Sequence, residues 1–263
     1  MSAIFKQELK LNLKSLLIWA LTVGGLGFIC VMMYRSMEGD VMEMADSFSN
    51  MGAFSEAFGM STLSIATLAG FFATEVGTVH GLGSAMFAAF LASCMLSKEE
   101  DGHTGEFLYS LPVSRWKVVT SKCLAVIVNL ILFTLICGIF YVMGFVCLGE
   151  NVLWEELIRF LFSMLFMNVE VAALALLVSA VSQRNRMGVG LGIALVLYVS
   201  DITGRVVPDM KDYLFVEPFS FTNASEIFAG IDAPEYSIPI AAAVTIAALA
   251  STYAVYLKRD LAS

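Results

Sequence analysis

Apolar residues in this chain arrive in blocks of about 20, and a helix of that length rises about 30 Å, the thickness of a bilayer's hydrocarbon core. Six such blocks stand at about 15–34, 80–97, 118–147, 158–182, 187–207 and 238–257. Hydrocarbon offers no water to backbone N–H and C=O groups, so each block has to close its own hydrogen bonds as a helix. The pattern predicts an all-α polytopic membrane protein, a single transmembrane domain over residues 1–263 with six spans. Composition agrees: 59% hydrophobic and 14% charged residues lie far from the balance of a soluble domain. The first block has no small-residue cleavage site after it and is expected to remain as an anchor. The third is longer than one perpendicular span needs, so it is expected to tilt or to leave the bilayer near Gly144 to Leu148.

Basic residues orient the spans. With the N-terminus inside, the cytoplasmic segments hold Lys6, Lys10, Lys14, Lys98, Arg115, Lys117, Lys122, Arg184, Arg186, Lys258 and Arg259, eleven of the 15 basic residues. The other side keeps only Arg35, Arg159, Arg205 and Lys211, against sixteen acids that include Glu38, Asp40, Glu43, Glu155, Glu156, Asp209 and Asp212. The positive-inside rule therefore places both termini in the cytoplasm. The same acidic loops account for the net charge of −8 without invoking a basic partner or a nucleic acid.

Between the spans, three segments carry further pattern. Phe5, Leu9 and Leu13 recur every four residues beside Lys6, Lys10 and Lys14, which predicts an amphipathic elbow helix over about 2–14 lying in the inner interface; the alternative is a first span that simply extends inward. Residues 60–78 become apolar but are interrupted by Glu75, and a seventh crossing would reverse every later loop, so they read as an outer, partly re-entrant segment. The 201–237 segment, with Pro208, Pro218 and Pro234 among many aromatics, predicts short outer interfacial helices broken by proline. Trp19, Trp116 and Trp154 fall near the expected span ends and read as interface anchors.

Catalytic constellations are hard to assemble. The two histidines, His80 and His103, are expected on opposite sides of the membrane, and there is no G-x-x-x-x-G-K-[ST] phosphate loop. Cys30, Cys94, Cys123, Cys137 and Cys147 have no paired spacing that suggests a disulfide framework or a zinc site. No metal or cofactor is expected on this chain, and ATP-driven work would need a partner. Glu170, two residues after Asn168, lies inside the fourth block. A carboxylate there costs about 2.5–3.5 kcal/mol on insertion scales, so it should face protein or water, either on a translocation path or tying helices together. Gly188 and Gly192 form one G-x-x-x-G that lets helices approach closely, within the chain or between two copies.

The loop between the second and third blocks, 98–117, has an internal logic. Gly102 and Gly105 permit a turn, Thr104 can cap a short helix, and Glu106 stands where the helix dipole favours an acid. Phe107, Leu108 and Leu111 make an apolar face, Pro112 stops it, and Ser114 can cap the next helix through Arg115. Such a helix could plug a groove on a cytosolic partner.

These residues also carry a resemblance. Lys98-Glu99-Glu100-Asp101, Thr104-Gly105-Glu106-Phe107-Leu108, Ser110-Leu111-Pro112-Val113-Ser114-Arg115 and Ser121-Lys122 together resemble the intracellular loop of type-two ABC exporter permeases, the membrane subunits of ATP-binding cassette transporters. Glu56-Ala57-Phe58-Gly59 is similar to that family's first outer region, and Glu217-Pro218-Phe219 to its outer re-entrant helices. The family's usual Gly-Thr or Lys-Thr before the glutamate is Gly102-His103-Thr104-Gly105 here. The resemblance implies a coupling helix at about Thr104 to Leu111, followed by Arg115, that docks on a cytosolic ATP-binding subunit. It also implies two copies of that subunit holding ATP and Mg, a second permease of the same or similar kind, and a bacterial cell membrane. The function implied is export of a drug, peptide, lipid or ion, with no enzymatic activity in the permease. A secondary transporter, or a membrane sensor or immunity subunit, is the alternative.

Overall fold

The computed structural model describes residues 2–105 and 112–259, and among them six helices are long and apolar enough to cross a membrane. The first, α1 (Ser2–Ser49), is a single uninterrupted helix. The expected elbow over about 2–14 is therefore not a separate element. A sharp bend needs a proline, a π turn or an inserted group, and nothing of that kind separates Lys14 from Ser15. Lys6, Lys10 and Lys14 are exposed on the extension. Trp19 packs on Phe87 and Phe90, near the Ser93 end of the second long helix, with ring centroids 6.2 and 6.0 Å away.

A short helix, α2 (Ala53–Ala57), and a run of turns lead to α3 (Leu68–Ser93), which holds one π turn at Phe72–Val76. Residues 68–78, expected within an outer, partly re-entrant segment, continue without a break into the second apolar block as one helix, Leu68–Ser93, long and apolar enough to cross a membrane. Thr67 sets the start by accepting the Gly70 N–H at 3.0 Å. Glu75 does not break the helix because it stands on an exposed face while Phe72, Ala73, Thr74 and Val76 are buried. His80 consequently lies inside the bundle and is wholly buried, its Nδ1 2.7 Å from the Tyr141 hydroxyl.

After α4 (Lys98–Asp101) come α5 (Arg115–Leu148), α6 (Trp154–Val181) and α7 (Met187–Val206). The segment before the last long helix folds into α8 (Pro208–Lys211), two 3-10 turns at Leu214–Val216 and Ser220–Thr222, and α9 (Ala224–Phe228), ahead of α10 (Ser237–Lys258). Pro208 occupies a first-turn position, where its missing N–H is harmless.

Contacts fix the directions of the helices. Along α1 and α5, Ala20 meets Cys137, Gly24 meets Phe140, Gly27 meets Tyr141 and Val31 meets Gly144, so the two run parallel. Gly81 meets Met164 and Leu96 meets Ser179, so α3 and α6 also run parallel, whereas Gly190 of α7 meets Ser93 at the far end of α3. The beginning of α1, residues 94–105 and 112–115 and Arg259 thus share one end of the bundle, the basic end.

Between membrane helices the hydrophobic effect supplies little drive, and close backbone approach over small residues does much of the work. A Cβ built on Gly190 would lie 2.5 Å from Ser93 Cβ and 3.0 Å from the Ala89 carbonyl oxygen, while Gly188 and Gly192 have nothing within 4 Å. We expect Gly190→Leu to force α7 off α3 and destabilise the chain by about 1–3 kcal/mol, the usual cost of overpacking. Gly188→Leu should change little, and thermal unfolding of the two variants in mild detergent checks the contrast. Elsewhere α5 and α6 diverge, leaving an apolar cleft of about 850 Å³ lined by Leu135, Ile139, Val146, Trp154 and Phe162 among others.

Candidate functional site

Charges concentrate at the basic end, around the loop that leaves α3. Ser179 on α6 anchors the loop's start by accepting the Leu96 and Ser97 N–H groups at 2.8 and 3.2 Å. The charged run of α4 then sends each side chain to a different part of the bundle. Lys98 pairs with Glu8 of α1; Glu99 Oε1 accepts from Lys122 Nζ of α5 at 2.5 Å; Glu100 pairs with Arg259 after α10. Lys122, whose side chain is 0% exposed, also donates to the Met95 carbonyl at 2.6 Å and lies 3.0 Å from Glu8 Oε1. Arg259 donates to the Ala180 and Ser182 carbonyls at 2.6 and 2.7 Å, and its own carbonyl accepts from Arg115 Nη1 at 2.7 Å. Buried ions persist only when paired and hydrogen-bonded, and this set provides both. The loop is bolted at its entry and exit to α1, α5, α6 and the end of α10.

A second polar region lies toward the opposite end, between α6, α7 and the 214–228 segment. Asp201 and Arg205 pair two-pronged at 2.8 and 3.0 Å, and Arg205 reaches Glu226 at 3.1 Å. Burial holds the Glu226 carboxyl above the usual carboxylate range, although Arg205 beside it pulls the other way. Glu217 accepts from the Ser200 hydroxyl at 2.9 Å and is likewise raised by burial. Deeper in the bundle, Asn168 is fully buried and neither of its amide atoms has a hydrogen-bond partner; Glu170 is 1% exposed and its Oε2 has none. A cavity of about 60 Å³, lined by Thr78, Tyr198, Asp201, Arg205 and Asn223, adjoins the region and has room for a few waters.

Residues 2–261 match the family described as ABC-2 family transporter protein. The chain belongs to the ABC-2 transporter family. A search of curated proteins finds no match. As an ABC-2 permease it is a multi-pass membrane transport component, of a kind that generally works with a separate ATP-binding subunit.

Within this ABC-2 permease the residues expected to couple to the ATPase divide. Thr104 closes the turn after α4, its N–H donating to the Glu99 carbonyl at 2.8 Å, Gly105 follows it in helical conformation, and Arg115 opens α5. Glu106, Phe107, Leu108 and Leu111 lie outside the described residues. Asn168 and Glu170 are both inside the bundle, yet they stand two apart on α6 and so point in different directions. Gly188 and Gly192 face open space, and the glycine that seats α7 on α3 is Gly190 between them.

Reading the sequence alone overlooked Glu8. Its signal is an acid set among Lys6, Lys10 and Lys14, where a purely interfacial helix needs none. Arg205 and Glu226 were also missed, because Arg205 reads from sequence as one more residue of an acidic outer segment.

Proposed function

We propose that this chain is the permease of an ATP-driven exporter, moving a drug, peptide, lipid or ion outward, with both termini and the basic end in the cytoplasm. It works as a pair, with itself or a similar permease, driven by two copies of a separate ATPase that carries the ATP and Mg. Family membership supports this, and one observation carries it. The residues flanking the loop are fastened to three separate parts of the bundle: Lys98 to α1, Glu99 to α5, and both Glu100 and Arg115 to Arg259 just after α10. A push on the segment around Thr104 to Leu111 would reach α1, α5, α6 and α10 together, not one helix alone. Differential contact of that segment with the two states of the ATPase supplies the work. The open face around Gly188 and Gly192 is available for the second permease.

The test is purification of the tagged permease from its native membranes in mild detergent, with identification of co-purifying subunits and an ATPase assay. Recovery of a soluble subunit bearing a phosphate loop, near one copy per permease, is the expected result. Recovery of the permease alone, repeated after crosslinking, would overturn the reading and favour a carrier working through Glu170.

A further inference from the structure

Where α6 gives way to α7, at the basic end, the chain forms a cleft of about 400 Å³. Leu177, Val178 and Val181 of α6 and Val189 of α7 make its apolar walls, and Ser182 and Arg186 are its polar lining. Val181 and Val189 are exposed, so the cleft is open at the surface of the bundle. The turn between the two helices holds Arg186 in this place. Arg259 donates to the Ala180 and Ser182 carbonyls, and the Ser182 hydroxyl donates to the Arg184 carbonyl at 2.9 Å and accepts from Arg186 Nε at 3.2 Å. The terminal nitrogens of Arg186 are left over. Elsewhere at the basic end Lys98, Lys122 and Arg259 each meet a carboxylate, but among the described residues no ion pair includes Arg184 or Arg186. No acid stands in the sequence between Glu170 and Asp201, and Glu100, carried to this turn by Arg259, is already engaged.

A guanidinium with open N–H donors is matched by the oxygens of a phosphate, and the apolar walls beside it are matched by hydrocarbon. Inorganic phosphate would leave the valine walls uncovered, and an uncharged lipid would leave the cation unmet. An anionic phospholipid answers both, and basic pockets between membrane helices hold such headgroups. We propose that the cleft between the end of α6 and the start of α7 binds one anionic phospholipid. Its phosphate sits on Arg186, with Arg184 beside it, and an acyl chain lies against Val178, Val181 and Val189. The site requires only that these helices lie in a bilayer, so it stands or falls separately from the permease reading.

The experiment titrates phosphatidylglycerol and phosphatidylcholine of equal chain length into the purified chain in mild detergent, without any ATPase, and counts bound lipids by native mass spectrometry. We expect one phosphatidylglycerol to bind saturably, about fivefold more tightly than phosphatidylcholine, the preference that one basic residue confers at a membrane surface. Arg186→Gln should remove that preference. Val189→Trp, at an exposed position where misfolding is a poor explanation, should weaken binding at least as much by filling the cleft while the charge stays. Lys14→Gln, on the exposed start of α1, should bind as the parent chain does. Equal binding of the two lipids by the parent overturns the proposal, as does a preference that survives Arg186→Gln. Displacement of the lipid by inorganic phosphate at equal concentration would make the cleft a free-phosphate site. A Val189→Trp variant that keeps the lipid but loses a dimer formed by the parent would assign the cleft to a second copy of the chain. Either result overturns the lipid assignment and leaves the co-purification result untouched.

Discussion

Replacing Lys122 with Met is expected to cost about 3–5 kcal/mol of stability, the usual penalty for removing one partner of a buried ion pair. Lys122 has no exposed side-chain surface, and its ammonium serves Glu8, Glu99 and the Met95 carbonyl at once. Without it, Glu99 loses its ion-pair partner while its Oε2 already lacks a hydrogen bond, and Glu8 keeps only Lys98. The thermal unfolding midpoint of the chain in mild detergent should fall, together with the yield of monodisperse protein. Adding Glu99→Gln to Lys122→Met should recover part of the loss, because the burden lies in the unpaired charge more than in the missing contact. A single variant as stable as the parent would mean that the basic end is held by packing and not by its ions.

Replacing Leu108 and Leu111 together with Asp is expected to abolish transport coupled to ATP hydrolysis, or to release the ATPase, while membrane insertion stays intact. An apolar face that fills a groove on a partner is disrupted by two desolvated carboxylates far more than a solvated loop would be. Transport assays in vesicles, with the recovered ATPase quantified beside them, check this. Full transport with full recovery would remove the coupling helix from the segment and leave the fastened charges at its flanks without a mechanical role.

Some of the architecture was legible because its cause is local. Six apolar blocks announce six helices, and the excess of basic residues at one set of loops is a property of composition. The motif Lys98-Glu99-Glu100, with Arg115 and Lys122, was visible as a pattern, yet nothing in it says where each charge goes. The errors have local causes as well. Glu75 looks like a break until its exposed position on α3 is known, and the basic spacing of Lys6, Lys10 and Lys14 cannot distinguish an interfacial elbow from an extended span. His80 read as the outer end of the second span because the helix start at Leu68 is set by the Thr67 cap, a weaker signal than hydropathy.

By itself the sequence determined that this chain crosses a membrane as helices, how many, and in which sense their ends divide by charge. Hydrocarbon leaves the backbone no other way to satisfy its polar groups, and that constraint acts residue by residue. Only the tertiary structure decided that Glu8 meets Lys98 across 90 residues of chain, that Glu100 meets Arg259 across 159, and that Arg205 reaches Glu226. Such pairings depend on which helix faces lie together. Those faces are set by the close approach of small residues such as Gly24, Gly27 and Gly190, and by buried charges that stay ionised only where an opposite charge meets them.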